Sequence, residues 1–464
     1  MSPLTKETPR QIIDNFANEI SDRKRKGPKP QKHVIDFRTD KRDGIERDVY
    51  LVPIELLRYR KDNGRIASDV MSYEKACGVL DETSDDGQKK IQDFLFKKDP
   101  ERTEDLKKSI LQRDQMDPAI ITCDGFLING NRRKMVMELL REDTGEARFN
   151  DMKVVILPGR GEEGAPPTSK EIEQIENRYQ MQRDTKAEYS GLDKALSMRR
   201  KVDCGISLKE QLKDDPVNAG LSDKELDKEV KTMEEAFLKP LECVDRYLSL
   251  MNLEGHFSLV SEGLSDREGR WQAFIDYYKS VGKKIEDPEQ RLKLGLTDAE
   301  IGKLEDACFK IIRKREFPEL AKVHKIMRDI PKWIKHKDAK KHLYELTNID
   351  FDLPTEDLKK EGGVIENLKE IEKKWASKHH QTFMHRVKAA VDLFEHKKAR
   401  ETALTLLEGA LKKLEHEDMR PEETNQLDCG RAIKLLSDIE AKAKDLRSEF
   451  YHLDKELRKL TTKK

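Results

Sequence analysis

Between residues 103 and 140 the spacing of apolar positions changes several times, and each change marks a new element. Leu106 and Ile110 lie four residues apart, as on one face of a helix. Pro118 prevents that helix from continuing into a short apolar run, which has the length of a strand. A turn at Gly125 leads to a second short strand, after which apolar residues return to helical spacing. The pattern predicts the order helix, strand, turn, strand, helix.

The second of these predicted helices begins with two positive charges. Gly130 and Asn131 open it, so Arg132 and Arg133 fall in its first turn. Positive side chains are unfavourable at the positive end of a helix dipole, and an anion at that end would explain them. Backbone N–H groups at a helix start and guanidinium groups both bind phosphate well. The sequence therefore predicts a phosphate-binding pocket at this helix start.

This segment resembles the ParB/sulfiredoxin superfamily, whose partition proteins carry a run like L-x-x-S-I, then P-I-x-V, a turn and G-E-R-R. Residues 175–195 are similar to the family's E-N-x-x-R-x-D-L-x-x-x-E box, and residues 52–66 are similar to its opening box. The resemblance covers roughly residues 48–200. The matching residues are Asn63, Gly64, Arg65, Leu106, Ser109, Ile110, Pro118, Ile120, Asp124, Gly125, Gly130, Asn131, Arg132, Arg133, Glu176 and Asn177.

The resemblance implies a bound nucleotide, with CTP as the first expectation, ATP as the second, and Mg2+ accompanying the phosphates. Two arginines of the predicted helix start would hold phosphates, the opening box would contact the nucleotide, and the third box would approach the metal or triphosphate. The nucleotide-binding residues that it implies are Asn63, Arg65, Gly130, Asn131, Arg132, Arg133, Glu176, Asn177 and Arg183, with Glu176 also as the metal ligand.

Two residues depart from the family pattern, and no catalytic residue is assigned. Asn131 stands where many partition proteins have glutamate, and Gln180 stands where the box has arginine, with Arg183 three residues later. On a helix, Glu176, Gln180 and Arg183 still share one face, so nucleotide binding is better supported than hydrolysis. The sulfiredoxin branch is disfavoured because residues 130–133 contain no cysteine for its chemistry.

Composition and charge narrow the remaining possibilities. The chain has 36% hydrophobic and 39% charged residues, which predicts an elongated, helix-rich protein. Its 91 basic and 91 acidic residues balance, so contact with DNA must come from a local patch. The basic run Arg23, Lys24, Arg25 and Lys26 lies in a predicted flexible arm, residues 1–47, which either contacts DNA phosphates or is a solvated tail.

A helix-turn-helix pattern lies between about residues 207 and 247. Ser222 and Glu225 form a capping box at the start of its second helix. That helix is rich in Asp and Glu, whereas a recognition helix in the major groove should not be acidic. A plain helical hairpin is favoured over a DNA-reading element.

The C-terminal segment carries apolar residues spaced alternately four and three apart. The spacing predicts a coiled-coil seam and a homodimer through residues 432–460, with an intrachain hairpin against residues 387–414 as the alternative. The seam positions are Ala432, Leu436, Ile439, Ala443, Leu446, Phe450, Leu453, Leu457 and Leu460.

The predicted architecture is α+β: a ParB/sulfiredoxin-like N-terminal domain followed by a large all-α region that ends in a coiled coil. The expected divisions are an arm at 1–47, the nucleotide-binding domain at 48–200, a helical domain at 201–350 and a helical coiled-coil region at 351–464. We expect a protein that binds DNA under nucleotide control, like the partition or regulatory proteins that plasmids, phages and bacterial chromosomes encode. A ParB-like nuclease of a defence or mobile-element system and a nucleotide-free adaptor are the alternatives.

The sequence also predicts where the protein acts. Its six cysteines form no C-x-x-C pair, which favours a reduced compartment. No apolar run has the length of a membrane span, and no signal peptide is evident. A cytoplasmic protein associated with the nucleoid or a mobile element is expected, without membrane contact.

Overall fold

The chain folds into two compact units, Met1–Asp392 and Leu393–Lys464. The computed structural model describes residues 11–26, 31–35, 37, 45–98, 100–162, 165–181, 191–218, 220–261, 270–318, 320–351, 360–361, 364–365, 368–423 and 426–461. The predicted divisions at residues 47, 200 and 350 all fall inside the first unit, so its sheet and its helical part pack together as one body.

A five-stranded mixed sheet lies in the first unit. Its strands are β1 Gln31–Ile35, β2 Ile45–Pro53, β3 Ala119–Ile121, β4 Leu127–Asn129 and β5 Asp151–Ile156. They lie in the order β1-β2-β5-β3-β4; only the β3–β5 pairing is parallel, with Ile120 opposite Val155. Two further strands, β6 Lys360–Glu361 and β7 Val364–Ile365, pair antiparallel in a region with little strand signal in the sequence.

The rest of the described structure is mainly helical. The helices are α1 Asp14–Lys26, α2 Ala67–Cys77, α3 Asp85–Lys98, α4 Pro100–Arg113, α5 Asn131–Thr144, α6 Ser169–Met181, α7 Gly191–Asp203, α8 Leu208–Lys213, α9 Asp223–Met233, α10 Lys239–Leu250, α11 Ser258–Ser261, α12 Trp271–Tyr277, α13 Lys283–Glu286, α14 Pro288–Lys293, α15 Asp298–Lys314, α16 Val323–Trp333, α17 Lys337–Tyr344, α18 Leu368–Lys378, α19 His380–Leu414 and α20 Gln426–Thr461. The predicted helix, strand, strand, helix order of residues 103–140 is confirmed as α4, β3, β4 and α5.

The central strands are buried on both faces, which explains their short continuous apolar runs. Val154 of β5 faces a core built with α2, α3, α4 and α5. Its neighbour Val155 faces the opposite core, where Ile172 and Ile175 of α6 pack. Because side chains alternate along a strand, consecutive apolar residues serve the two cores in turn.

The described part of the expected N-terminal arm is structured and packed. Ile20 of α1 is buried in the core, and the rings of Phe16 and Phe126 lie 6.2 Å apart between centroids. The backbone N–H of Ile13 donates to Asp124 Oδ2 at 3.0 Å. Apolar residues four apart at Phe16 and Ile20 make α1 amphipathic, and the sheet domain covers its apolar face. The expectation of a flexible arm is therefore wrong for residues 14–26.

The predicted C-terminal helix is present as α20, a single helix of 36 residues. No described helix anywhere in the chain is both long enough and apolar enough to cross a membrane.

Candidate nucleotide-binding site

The start of α5 is pressed against the neighbouring strand β3. Gly130 caps the helix in a left-handed conformation, with φ of 105°. A Cβ atom at this position would lie 2.7 Å from the Cβ of Ala119. Glycine is therefore required both for the backbone angle and for the close approach of helix and strand.

The two arginines of the first turn of α5 contact neighbouring elements. Arg132 donates from Nη2 to Thr103 Oγ1 of α4 at 3.1 Å. Arg133 donates from Nη1 to the carbonyl oxygens of Asp117 and Pro118, the latter at 3.4 Å. Burial lowers the pKa of Arg133, although Asp117 opposes that shift. Arg133 therefore holds the turn that leads into β3, and Arg132 links α5 to α4.

Asn131 lies between these arginines and the end of β4, and it is buried. Its Nδ2 donates a long hydrogen bond of 3.4 Å to the carbonyl oxygen of Leu127. Its Oδ1 is buried and has no hydrogen-bond partner among the described residues. A buried acceptor without a partner costs free energy, so a donor supplied by a ligand would stabilise it.

The opening box forms a short capped turn beside the third box. Asn63 Oδ1 accepts a hydrogen bond from the backbone N–H of Arg65 at 3.0 Å and caps a 3-10 helix, Gly64–Ile66. The backbone N–H of Gly64 donates to Glu176 Oε1 at 3.0 Å, across 112 residues of sequence. Two of the predicted site segments therefore touch.

A network of buried charges surrounds Glu176, and the sequence did not reveal most of it. Arg60 Nη2 lies 3.0 Å from Glu173 Oε1, and Arg60 Nη1 lies 3.6 Å from Glu176 Oε2. Arg200 of α7 pairs with Glu173 at 2.7 Å. Burial raises the pKa of Glu173, although Arg200 opposes the rise. The sequence did contain one signal, because Glu173 and Glu176 lie one helical turn apart, each directly after a buried isoleucine of α6.

Asn177 is likewise engaged within the chain. Its Nδ2 donates to the carbonyl oxygen of Gln211 at 3.1 Å, and its Oδ1 accepts from Lys201 Nζ at 2.9 Å. Burial lowers the pKa of Lys201, an effect that Glu176 opposes. Glu176 and Asn177 are only 2% and 3% exposed. The predicted residue Arg183 lies outside the described residues.

One segment connects the arginine helix to the buried charges. Tyr59 donates from its hydroxyl to Glu138 of α5, and Lys134 Nζ of α5 lies 4.0 Å from the centroid of the Tyr59 ring. The next residue, Arg60, enters the network of α6. Helix α6 itself packs on β4, the strand that leads into Gly130. The opening box therefore contacts both α5 and α6, whereas the described contacts of Arg132 and Arg133 are with α4 and with the turn before β3.

This environment does not fit the predicted role of Glu176 as a metal ligand. Its carboxylate already accepts from Gly64 N–H and lies near the guanidinium groups of Arg60 and Arg200. Positive neighbours disfavour a cation at the same carboxylate. Within the described residues, no three His, Cys, Asp or Glu side chains are grouped so that they could hold a metal ion.

The predicted DNA contacts at the end of α1 are partly neutralised. Lys24 Nζ pairs with Glu162 Oε1 at 2.8 Å, whereas Arg23 is exposed. The side chains of Arg25 and Lys26 lie outside the described part of the structure. This short run therefore provides less free positive charge than its sequence indicates.

A stronger basic surface lies in the helical part of the first unit. An open cleft of about 810 Å³ between α15 and α17 is lined by five lysines and by three acidic residues, Glu300, Asp338 and Glu345. Lys340 pairs with Glu300, but for the other four no ion pair is found within the described residues. These four side chains are exposed, and together they form what we call the lysine surface: Lys303, Lys335, Lys337 and Lys341.

The helix-turn-helix pattern corresponds to α8 and α9. Ser222 and Glu225 form the predicted capping box at the start of α9. Lys209 of α8 contacts Asp227 at 2.7 Å and Asp223 at 3.3 Å, so the acidic side of α9 pairs with α8. This geometry favours the plain helical hairpin.

Comparison with known proteins adds one weak structural similarity. No family model and no curated protein matches the chain. Among solved structures, the chain is similar to one described as a Pnob8-like ParB-N domain, with 14% identity, over 62% of this chain and 98% of that chain. The TM-score is 0.29, too low for the match to support any conclusion about function.

Proposed function

We propose that this protein is a ParB-like, nucleotide-regulated DNA-binding protein that acts as a dimer. The observation that carries the proposal is that direct contacts join three boxes that lie far apart along the chain. The contact between Gly64 and Glu176 joins the first and third boxes. Tyr59 and Lys134 join the first to the second. Ordinary core packing does not require polar boxes to meet in this way.

In this proposal, the phosphates of a nucleoside triphosphate bind at the start of α5. Backbone N–H groups of the first turn and the guanidinium of Arg132 supply the charge-assisted hydrogen bonds. The unpartnered Oδ1 of Asn131 accepts from a donor on the ligand, such as a ribose hydroxyl or a base amino group. CTP is the first ligand to test and ATP the second. Any Mg2+ would bind together with the phosphates.

Glu176 and Asn177 act as positioning residues in this proposal. Both are buried and hydrogen-bonded to other parts of the chain, so they hold the 3-10 turn of the opening box against α6 and α7. In this proposal Arg65, the middle residue of that turn, contacts the ligand. Asn131 replaces the glutamate of the family pattern, so we expect binding with little or no turnover.

The adaptor alternative is supported by a specific observation. The carboxylate of Glu176 and the amide of Asn177 already contact protein groups, which is how a domain that had lost its ligand would keep its fold. In that case the chain binds no nucleotide at all.

Calorimetry with CTP, ATP, GTP and UTP in the presence of Mg2+ distinguishes these possibilities. We expect one triphosphate to bind, and Arg132→Ala to weaken it by about 1.5 to 3 kcal/mol because a charged hydrogen bond is lost. Arg141→Ala is the matched control, since Arg141 lies on the same helix far from its first turn and pairs with Glu55. Absence of binding by all four triphosphates would support the adaptor, and equal losses in both variants would reject the site.

We further propose that DNA contacts the lysine surface. Four exposed ammonium groups around one open cleft can each release a counterion from a DNA phosphate. The end of α1 adds Arg23, but Lys24 is already paired. DNA binding should therefore depend more on α15 and α17 than on α1.

Fluorescence anisotropy with duplex DNA over a range of salt concentrations tests this surface. Replacing its four lysines with glutamine should weaken binding and reduce the slope of log K against log salt by about 0.9 per contacted phosphate. The control changes four exposed or partly exposed lysines that already have acidic partners, Lys209, Lys213, Lys239 and Lys283, to glutamine. Equal effects of the two variants would mean that only net charge matters, and no binding at low salt would reject the DNA proposal.

A further inference from the structure

Helix α20 carries a long apolar stripe, and several of its described side chains are about half exposed. Leu436, Ile439, Phe450 and Leu453 are 53%, 44%, 42% and 50% exposed, although they share one face of the helix. They belong to the alternating four-and-three pattern that suits a supercoiled partner. A stripe of this length in water favours association.

We propose that α20 pairs with α20 of a second copy of this chain in the antiparallel orientation. This inference extends the dimer of the proposed function and does not depend on its ligands. The apolar stripe alone does not fix the orientation of two helices. The charged residues beside the stripe do, because they meet different partners in the two orientations.

A parallel pair would bring like charges together. In a parallel coiled coil, the residue immediately before one seam position faces the partner residue that is five positions further along the sequence. That partner residue comes immediately after the next seam position. Lys442 would then face the partner's Arg447, and Glu449 would face the partner's Asp454. By symmetry each repulsive contact occurs twice.

An antiparallel pair replaces these repulsions with attractions. The register that packs Ala443 against the partner's Leu446 also packs Ile439 against the partner's Phe450. In this register the small Ala443 lies opposite the larger Leu446, which helps both to fit.

The same register sets the flanking charges opposite each other. Lys442 faces the partner's Glu449, and Glu440 faces the partner's Arg447. Each pair occurs twice about a two-fold axis between residues 444 and 445. Four attractive pairs therefore replace four repulsive ones.

The alternative occupant is α19 of the same chain, which also exposes apolar residues. Leu404, Leu407 and Leu411 are 57%, 40% and 56% exposed. The hairpin register that would pack Leu411 against Ile439 sets Glu408 opposite Glu440, which is repulsive, and Glu401 opposite Arg447, which is attractive. These two pairs offset each other, whereas the pairing of two α20 helices has four attractive pairs.

One charge reversal distinguishes the two orientations, because it should lower the affinity of an antiparallel dimer and raise that of a parallel dimer. Lys442→Glu should weaken an antiparallel dimer about tenfold at low salt, since two attractive pairs become repulsive. The same variant would tighten a parallel dimer, where Glu would face the partner's Arg447. Adding Glu449→Lys should restore the antiparallel affinity. Lys444→Glu, the same charge change on the outer face of the helix, should have little effect.

Sedimentation equilibrium of the full chain measures these dimer affinities. If Lys442→Glu raises the dimer affinity, the antiparallel orientation is wrong. A wild-type chain that stays monomeric at tens of micromolar would overturn the dimer itself and favour the hairpin with α19. Nucleotide and DNA binding are measured separately, so their failure is distinguishable from failure of this inference.

Cys429 supplies an independent readout of orientation. It lies one heptad before Leu436, on the same seam. A parallel dimer would place the two Cys429 thiols side by side, where mild oxidation joins them in a disulfide. The antiparallel register separates them by about 46 Å, at 1.5 Å per residue. A cross-linked dimer that disappears in Cys429→Ser would contradict the antiparallel arrangement.

Discussion

At the scale of single residues, Gly130 combines two constraints at the start of α5. Its φ of 105° is unfavourable for any side chain, and a Cβ would approach the Cβ of Ala119 to 2.7 Å. Gly130→Ala should therefore lower the free energy of unfolding by about 2 to 4 kcal/mol, from strain in the left-handed region together with overpacking against β3. Thermal and urea unfolding followed by circular dichroism measure the loss.

A second glycine on the same helix separates the two causes. Gly145 ends α5 with φ of 68°, and a Cβ there would meet no atom within 4 Å. Gly145→Ala should cost only the left-handed strain, about 1 kcal/mol. Equal losses at Gly130 and Gly145 would contradict the close approach of α5 to β3.

Residue-level prediction from the sequence succeeded where the signal is local. A glycine followed by a helical pattern identifies a helix start, because backbone angle and periodicity are properties of neighbouring residues. The partners of Arg60 could not be found this way, since Glu173 lies 113 residues away. Only the folded sheet and α6 bring these charges together. For the same reason the sequence placed Glu176 and Asn177 toward a ligand, whereas the structure engages both with protein groups.

At the scale of elements, amphipathic spacing was more informative than composition. The basic and proline-rich composition of residues 1–47 indicated an arm, yet Phe16 and Ile20 lie four apart and bring α1 onto the sheet domain. The acidic composition of α9 was informative for a different reason. Its carboxylates find lysine partners on α8, and this pairing could be expected from charge alone.

At the scale of the whole molecule, packing crosses one of the divisions expected from the sequence. The division expected at residue 200 falls inside α7, which packs on α2 on one side and on α10 and α11 on the other. The backbone N–H of Ser258 in α11 also donates to Ser72 Oγ of α2 at 2.9 Å. A boundary drawn from a change in element type cannot detect such packing, because it depends on contacts between distant segments.

A buried ion cluster connects three distant parts of the first unit. Arg313 of α15 donates from Nε to Glu372 Oε1 of α18 at 2.9 Å, and Arg270 contacts the same carboxylate. Arg270 also donates to Tyr247 Oη of α10 at 3.0 Å. Removing Glu372 would leave two buried guanidinium groups without an acidic partner. We therefore expect Glu372→Gln to destabilise the unit by about 3 to 5 kcal/mol.

Tryptophan fluorescence during urea unfolding measures this loss, because Trp271, Trp333 and Trp375 all lie in the first unit. Glu370→Gln, an exposed change on the same helix, is the control and should have almost no effect.

Burial raises the pKa of Glu372, but Arg270 and Arg313 outweigh this effect, so the net pKa of Glu372 is lowered. A lowered pKa means that the stabilisation is present above the ordinary glutamate value of about 4.3 and is lost as pH falls below it. The difference between wild type and Glu372→Gln should therefore be largest near neutral pH and shrink on acidification; a difference that stays constant down to pH 3 would contradict an ionised Glu372 as the centre of this cluster.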